Sequence, residues 1–373
     1  MEVWKKRLGG GFMEKENFLS QKALFFLTVN LLCFKSFSGG FKNLISQNGS
    51  GAFFAEILCF GFSVGSAFLI LFVLKKTRCK NIFDLTKKYL PQGICFFIKA
   101  LILCWVGYVF AKGIYVSSNI LKSAVFDNAP FVFVALFFFV GAFYSMKSGV
   151  FATAKGAEVV VPISLFIICA MLFFAFWGEN FSNIYPLLGY GAKSTFFSAV
   201  NSFFGCFDFV LIFLVFPFDF SDGQTGKTLA KAVVFGALLN VITVFSELVS
   251  LSPNIAKQTE FTLYILFKTV DLERFMQRTD ALYVFAASIY LMSYVSVVGE
   301  VVILGLKELL CISNEKILAS CVSLLGLLGA LAVKNEKTGV ACNFYFGFAA
   351  VVLICLILSK IIFLKNGRQK NEM

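Results

Sequence analysis

Apolar runs of about 20 residues, enough to cross about 30 Å of hydrocarbon, recur at roughly 23–45, 52–74, 92–121, 129–147, 157–177, 199–219, 229–250, 281–303, 313–333 and 340–364. Nothing else in the sequence limits the fold as strongly. In lipid every backbone N–H and C=O needs a partner within its own segment, so runs of this kind are helices. They predict an all-α polytopic membrane protein with ten transmembrane helices. No hydrophilic stretch is long enough to fold separately. Residues 23–364 therefore read as one domain, between a polar segment over 1–22 and a tail over 365–373.

Ten spans place both termini on one side, and Lys and Arg in short loops say which. The basic N-terminus, the cluster Lys75, Lys76, Arg78, Lys80, Lys87 and Lys88, the pairs Lys147/Lys155, Lys227/Lys231 and Lys307/Lys316, and the tail Lys365, Arg368 and Lys370 all fall on the side that is read as cytoplasmic. The N-terminus leads into the first span with no small-residue cleavage site, so no cleaved signal is expected. On the opposite side only the 251–280 loop is long. Phe261, Tyr264, Ile265, Lys268, Leu272 and Phe275 recur there at helical spacing, which predicts an amphipathic helix over the outer mouth, acting as a gate or simply resting on lipid.

Composition narrows the chemistry. The net charge of +12 would point to nucleic acid in a soluble chain, but here the basic residues sit between apolar runs and only 14% of residues are charged. They are topology signals and contacts to anionic lipid, and no nucleic-acid partner is expected. His is absent, which removes the commonest general base and metal ligand, so an enzyme is not expected. Most of the 11 Cys lie inside apolar runs (Cys33, Cys59, Cys104, Cys169, Cys206, Cys321 and Cys355), with no C-x-x-C pair. They read as small buried apolar residues, with no disulfide framework, metal or cofactor implied.

The sixth run carries an anomaly. Between Asn201 and Phe220 it holds Gly205 and Asp208 near its middle and Pro217 near one end. An Asp at the bilayer centre costs about 2.5–3.5 kcal/mol, so Asp208 should face a protein interior or a wet cavity and find a partner. It is a candidate functional residue; capping a broken helix or pairing for packing alone is the alternative. The first run is interrupted as well, over Cys33 to Gly40, and ten spans divide as five and five. Interrupted helices at matching positions of two halves are the mark of an inverted-repeat transporter with its site at the midplane. Lys35 and Asp208 both fall in these interruptions, and each is costly alone, so they are expected to pair.

Several short motifs sit in order on this frame. The fifth span opens with Gly149, Lys155, Glu158 and Pro162; Asn183, Pro186 and Gly191 follow in an outer loop; Pro217 ends the sixth span; Glu273, Arg274, Arg278 and Asp280 lead into the eighth. In this order the chain resembles the spore germination permease family, the B subunit of spore germinant receptors, within the amino acid/polyamine/organocation superfamily. It departs from the family in the first-span break, at Ala287 where a Trp is common, and near Thr262 where a Pro is usual.

The resemblance implies a 5+5 inverted-repeat, LeuT-like fold with broken helices 1 and 6, and a ligand among the first, third, sixth and eighth spans. Carried onto this chain, that site comprises Asn30, Cys33, Phe34, Lys35, Trp105, Tyr108, Phe207, Asp208, Tyr290 and Ser293. The implied role is a membrane subunit that binds a small germinant, an amino acid, and signals to A-type and C-type receptor subunits in the bacterial cell membrane or inner spore membrane. A proton-coupled amino-acid permease is the competing class, and a structural subunit without ligand a third.

Overall fold

The computed structural model describes residues 19–175, 181–216, 218, 223–269, 279–310 and 314–333. The tenth apolar run, residues 1–18 of the polar N-terminus, Pro217 and residues 270–278 lie outside the described residues. The described structure is all-helical: α1 Gln21–Phe37, α2 Lys42–Asn48, α3 Ala52–Thr77, α4 Ile82–Tyr89, α5 Gln92–Val125, α6 Phe131–Ser148, α7 Val150–Ala175, α8 Ala192–Gly205, α9 Leu211–Val215, α10 Gln224–Gln258, α11 Thr262–Thr269, α12 Asp280–Leu310 and α13 Glu315–Val333. Seven helices are long and apolar enough to cross a membrane, or eight if the bent α8–α9 segment counts as one span.

Burial is inverted relative to a soluble protein, as lipid requires. Phe97, Phe133, Phe166, Phe173 and Leu325 stand on the surface, while Lys35, Glu56, Lys99, Asp208, Glu247 and Glu300 are buried. Helix α1 is enclosed by α10, α7 and α12, so it forms the middle of the bundle. Its N-terminus is capped by Ser20, whose Oγ accepts from the Ala23 N–H at 3.0 Å. It begins at Gln21, inside the segment expected to be a cytoplasmic lead-in. The short α4 is capped by Asn81 Oδ1 on the Asp84 N–H at 2.7 Å; it is too polar on one face to register as an apolar run.

The two irregular stretches differ from one another. In the first, expected over Cys33 to Gly40, the helical ladder instead continues through Phe37, and the chain turns only at Ser38–Phe41 before α2 begins. The turn is made by Gly39 at φ +67°, where a Cβ would stand 2.5 Å from the Glu260 carbonyl oxygen. A residue with a side chain is excluded there both by handedness and by that carbonyl. In the second, α8 ends at Gly205, the Cys206 N–H bonds back to the carbonyls of Ser202 and Phe203 (both 3.1 Å), and a 3-10 turn over Phe207–Val210 leads into α9. The axis turns by 43° across this point.

Within the 251–280 stretch, α10 runs on to Gln258 past a kink at Ser252 (φ 58°) and Pro253, and α11 occupies Thr262–Thr269. The described part of the expected outer helix falls on α11, and Leu272 and Phe275 lie outside the described residues.

Replacing Gly39 by Ala should lower stability by about 1–2 kcal/mol from backbone handedness alone, and further through the Glu260 contact. Gly61→Ala in mid-α3, where a Cβ meets nothing within 4 Å, should be neutral or stabilising by about 0.5–1 kcal/mol. Thermal unfolding of both variants in detergent checks this; equal transitions would remove the constraint at Gly39.

Candidate functional site

The buried charges sort themselves at the ends of α1 and α8. Lys35, in the last turn of α1, places its Nζ 2.7 Å from Glu56 Oε2 on α3 and also bonds Ser202 Oγ on α8. Ser202 in turn donates to the same Glu56 oxygen at 2.7 Å. The Lys35 ammonium also stands 4.6 Å from the centre of the Phe41 ring, in the turn after α1. Ion pair, hydroxyl and ring together satisfy a cation that is only 6% exposed.

Asp208 finds a different partner. Tyr294 on α12 donates its hydroxyl to Asp208 Oδ2 at 2.7 Å, and Phe34 stacks on the Tyr294 ring at 3.7 Å and 9°. Lys35 and Asp208 therefore do not pair as expected from their positions in the irregular stretches: each is bonded elsewhere. Because α1 stays helical through Phe37, Lys35 is aimed at α3 and α8 rather than into an unwound gap. Lys112 on α5 is near enough to act on Asp208 electrostatically.

The other nominated residues form small groups around α1. Asn30 Nδ2 donates to Ser293 Oγ at 2.9 Å, and Tyr290 OH donates to the Asn30 carbonyl at 2.6 Å. Tyr290 also stacks on Phe37 at 3.7 Å and 6°. Tyr283, one helix face further along α12, donates to the Phe37 carbonyl at 2.9 Å and so satisfies an orphan carbonyl at the end of α1. Cys33 Sγ contacts the Gly236 carbonyl of α10 at 3.7 Å. Trp105 approaches Phe207 with ring centres 6.2 Å apart, and Tyr108 lies half-buried on the same helix. The Asn30 Oδ1 and Trp105 Nε1 atoms are buried with no hydrogen bond among the described residues.

A cavity of about 300 Å³ opens beside these groups. It lies between the end of α1, the Ser38–Gly40 turn, α2, α5 and α8, and its lining includes Phe34, Lys35, Lys42, Lys112, Asn201 and Ser202. Among the described residues three lysines and no carboxylate line it, so their field favours an anionic group. Of the ten nominated residues only Phe34 and Lys35 line it; the rest stand behind or around α1. Lys112, Glu56, Ser202 and Tyr294 were not nominated. Glu56 and Lys112 are ionisable residues inside apolar runs, and that signal alone would have found both.

The motif residues hold helix ends together. Glu158 on α7 accepts from the Ser20 hydroxyl at 2.6 Å, at the N-cap of α1, and Asn183 donates to the Val249 carbonyl at 2.9 Å. Gly149 takes φ 86° between α6 and α7. The Tyr185–Pro186 bond is cis.

Residues 18–338 match the model of a family described as spore germination protein. Spore germination protein B2 of Bacillus subtilis (strain 168) is 26% identical over 176 residues, which is 47% of this chain and 48% of that protein, so the chain spans about half the length of this curated relative. Among solved structures the chain is similar to MhsT in complex with L-phenylalanine, with a TM-score of 0.63 and 11% identity over 88% of this chain and 85% of that one. At that identity the likeness shows the fold alone, an all-helical LeuT-type architecture.

Glu56→Ala should strand the Lys35 ammonium and cost about 3–5 kcal/mol, the usual penalty for halving a buried pair. Lys35→Met combined with Glu56→Ala should recover part of that loss. A double-mutant cycle on detergent-solubilised protein measures the coupling, and additive losses would show that the two groups do not interact.

Proposed function

The chain belongs to the spore germination protein family, and on that basis we propose that it is the membrane subunit of a spore germinant receptor, binding a small amino acid at the cavity between the ends of α1 and α8. In this reading it has ten spans in a 5+5 inverted repeat, the first broken at Ser38–Phe41 and the sixth at Cys206. Residues 340–364 supply the tenth span, and both termini are cytoplasmic. A-type and C-type receptor subunits receive the change of shape, in the cell membrane or the inner spore membrane.

One observation carries the reading: a cavity of about 300 Å³ lined by Lys35, Lys42 and Lys112 and, among the described residues, no acid, set where two helical segments end inside the bundle. Lys35 is already engaged by Glu56, so Lys112 is the better group for a ligand carboxylate. Asp208 stands behind the cavity lining, where Tyr294 holds its Oδ2, and would steady the Lys112 ammonium electrostatically. Phe34, stacked on Tyr294, forms the apolar wall. Asn30, Cys33, Trp105, Tyr108, Phe207, Tyr290 and Ser293 then act around α1, fixing its position rather than touching the ligand. Binding at Lys112 would alter its electrostatic support of Asp208, so an occupied site shifts the balance between α5 and α12.

A proton-coupled amino-acid permease is the second reading. It is favoured by Glu247 on α10, a fully buried carboxyl beside Thr262 that has no salt bridge among the described residues. Such a group is suited to carrying a proton through a low-dielectric path.

Purified protein screened by thermal shift against the common L-amino acids should be stabilised by at least one of them. Lys112→Ala and Asp208→Asn should each weaken that ligand by about tenfold or more, equal to about 1.4 kcal/mol, and spores carrying Lys112→Ala should need correspondingly more germinant. Absence of any stabilising amino acid, or unchanged affinity in both variants, would overturn the site. Uptake in proteoliposomes separates the readings: a receptor binds without sustained uptake, whereas a permease accumulates substrate when a proton gradient is imposed.

A further inference from the structure

Behind the Lys35–Glu56 pair lies a cluster that the receptor reading does not use. The Glu56 carboxylate and the thiols of Cys59 and Cys206 place their ligand atoms within 4.8 Å of one another, and all three residues are buried. Glu56 and Cys59 lie one helical turn apart on α3, and Cys206 stands at the bend between α8 and the Phe207–Val210 turn. Both cysteines are free thiols. The hydrogen bonds from Lys35 and Ser202 land on Glu56 Oε2, so neither occupies Oε1.

We propose that Glu56, Cys59 and Cys206 form a binding site for one thiophilic divalent cation of the zinc or cadmium class. Two sulfurs and a carboxylate oxygen are the donor set such ions take, with metal–sulfur bonds of about 2.3 Å and metal–oxygen bonds of about 2.0–2.2 Å. The three ligand atoms, within 4.8 Å of one another, would close to those distances on binding. Ser202 Oγ stays on Glu56 Oε2, which leaves Oε1 for the ion.

The charges balance. On binding, each thiol loses its proton to water in the adjoining cavity, which Lys35 and Ser202 line. Two thiolates and the carboxylate then carry three negative charges, matched by the divalent ion and the Lys35 ammonium. The cluster is neutral before and after the exchange, which is what a low-dielectric interior demands. Lys35, which in a soluble site would repel a cation, here supplies the missing positive charge.

Its consequence concerns the bend. A bound ion would tie Cys206 to α3 and hold the 43° turn in one geometry, a brake on any motion of α8. That consequence rests on the receptor reading; the site itself does not, and metal binding is measured with no germinant present.

The test uses the full chain, reduced and metal-free, titrated with Cd²⁺ in detergent. The expected result is a thiolate-to-cadmium charge-transfer absorption that saturates near one equivalent. Affinity should fall by about tenfold or more in Cys59→Ala and in Cys206→Ala, and Cys321→Ala, which alters an exposed thiol, should bind as the unaltered protein does. A second measurement needs no variant: bound Cd²⁺ or Zn²⁺ should protect Cys59 and Cys206 from alkylation, read peptide by peptide in a mass spectrometer. No charge-transfer band, unchanged affinity in both cysteine variants, or equal alkylation with and without metal would each overturn the proposal.

Discussion

An ammonium and a carboxylate taken out of water together, Lys35 on Glu56, set the terms for the rest of this bundle. Either charge alone would be prohibitively costly at membrane depth, and the pair is tolerable only because its geometry is close and its remaining bonds are made. Ser202 and the Phe41 ring make them. The contact therefore joins α1, α3 and α8 at one point, within a few residues of where α1 and α8 end. Those ends are the stretches with backbone groups to spare, and the pair keeps them facing each other instead of lipid.

The remaining polar contacts extend the same logic along α1. Tyr283, Tyr290 and Tyr294 project from α12 toward it; the first two bond its carbonyls, and the third bonds Asp208 beyond it. Asn240 on α10 reaches the Leu32 carbonyl and accepts from Ser36. A helix held this way is a rigid central post, while α8, bent at Cys206 and bordering a cationic cavity, is the element with room to change. The receptor and the permease proposed above would each need that division between a fixed post and a movable neighbour.

Much of the fold was legible in the sequence because lipid imposes one simple rule: an apolar run of sufficient length is a helix. Apart from α4 and α11, the described helices fall on the runs from 23–45 to 313–333; α11 lies in the loop where an amphipathic helix was expected, and α4 was missed because eight amphipathic residues make no such run. The cost of burying Asp208 correctly marked it as needing a partner. The partner itself was misread, since Lys35 was assigned to an unwound gap when the ladder continues through Phe37 and turns only where Gly39 permits it. Glu56 was in plain view as the acid of the 52–74 run, but nothing in a one-dimensional reading brings α3 beside α1. The same holds for Cys59 and Cys206, separated too far in sequence for any spacing rule to join them. Lys112 stood in plain view inside the 92–121 run as well, but what it faces comes from the cavity, and a cavity is a property of several helices at once.

The account stands on whether the Lys35 ammonium and the Glu56 carboxylate meet inside the bilayer. Solid-state NMR of the protein in lipid, with ¹⁵N at lysine Nζ and ¹³C at glutamate Cδ, reads that contact as a dipolar coupling. The expected result is a Lys35–Glu56 cross-peak at hydrogen-bonding distance that disappears in Glu56→Gln. Strong lysine–glutamate signals elsewhere with none assignable to this pair, or a Lys35 Nζ in fast exchange with water, would contradict it.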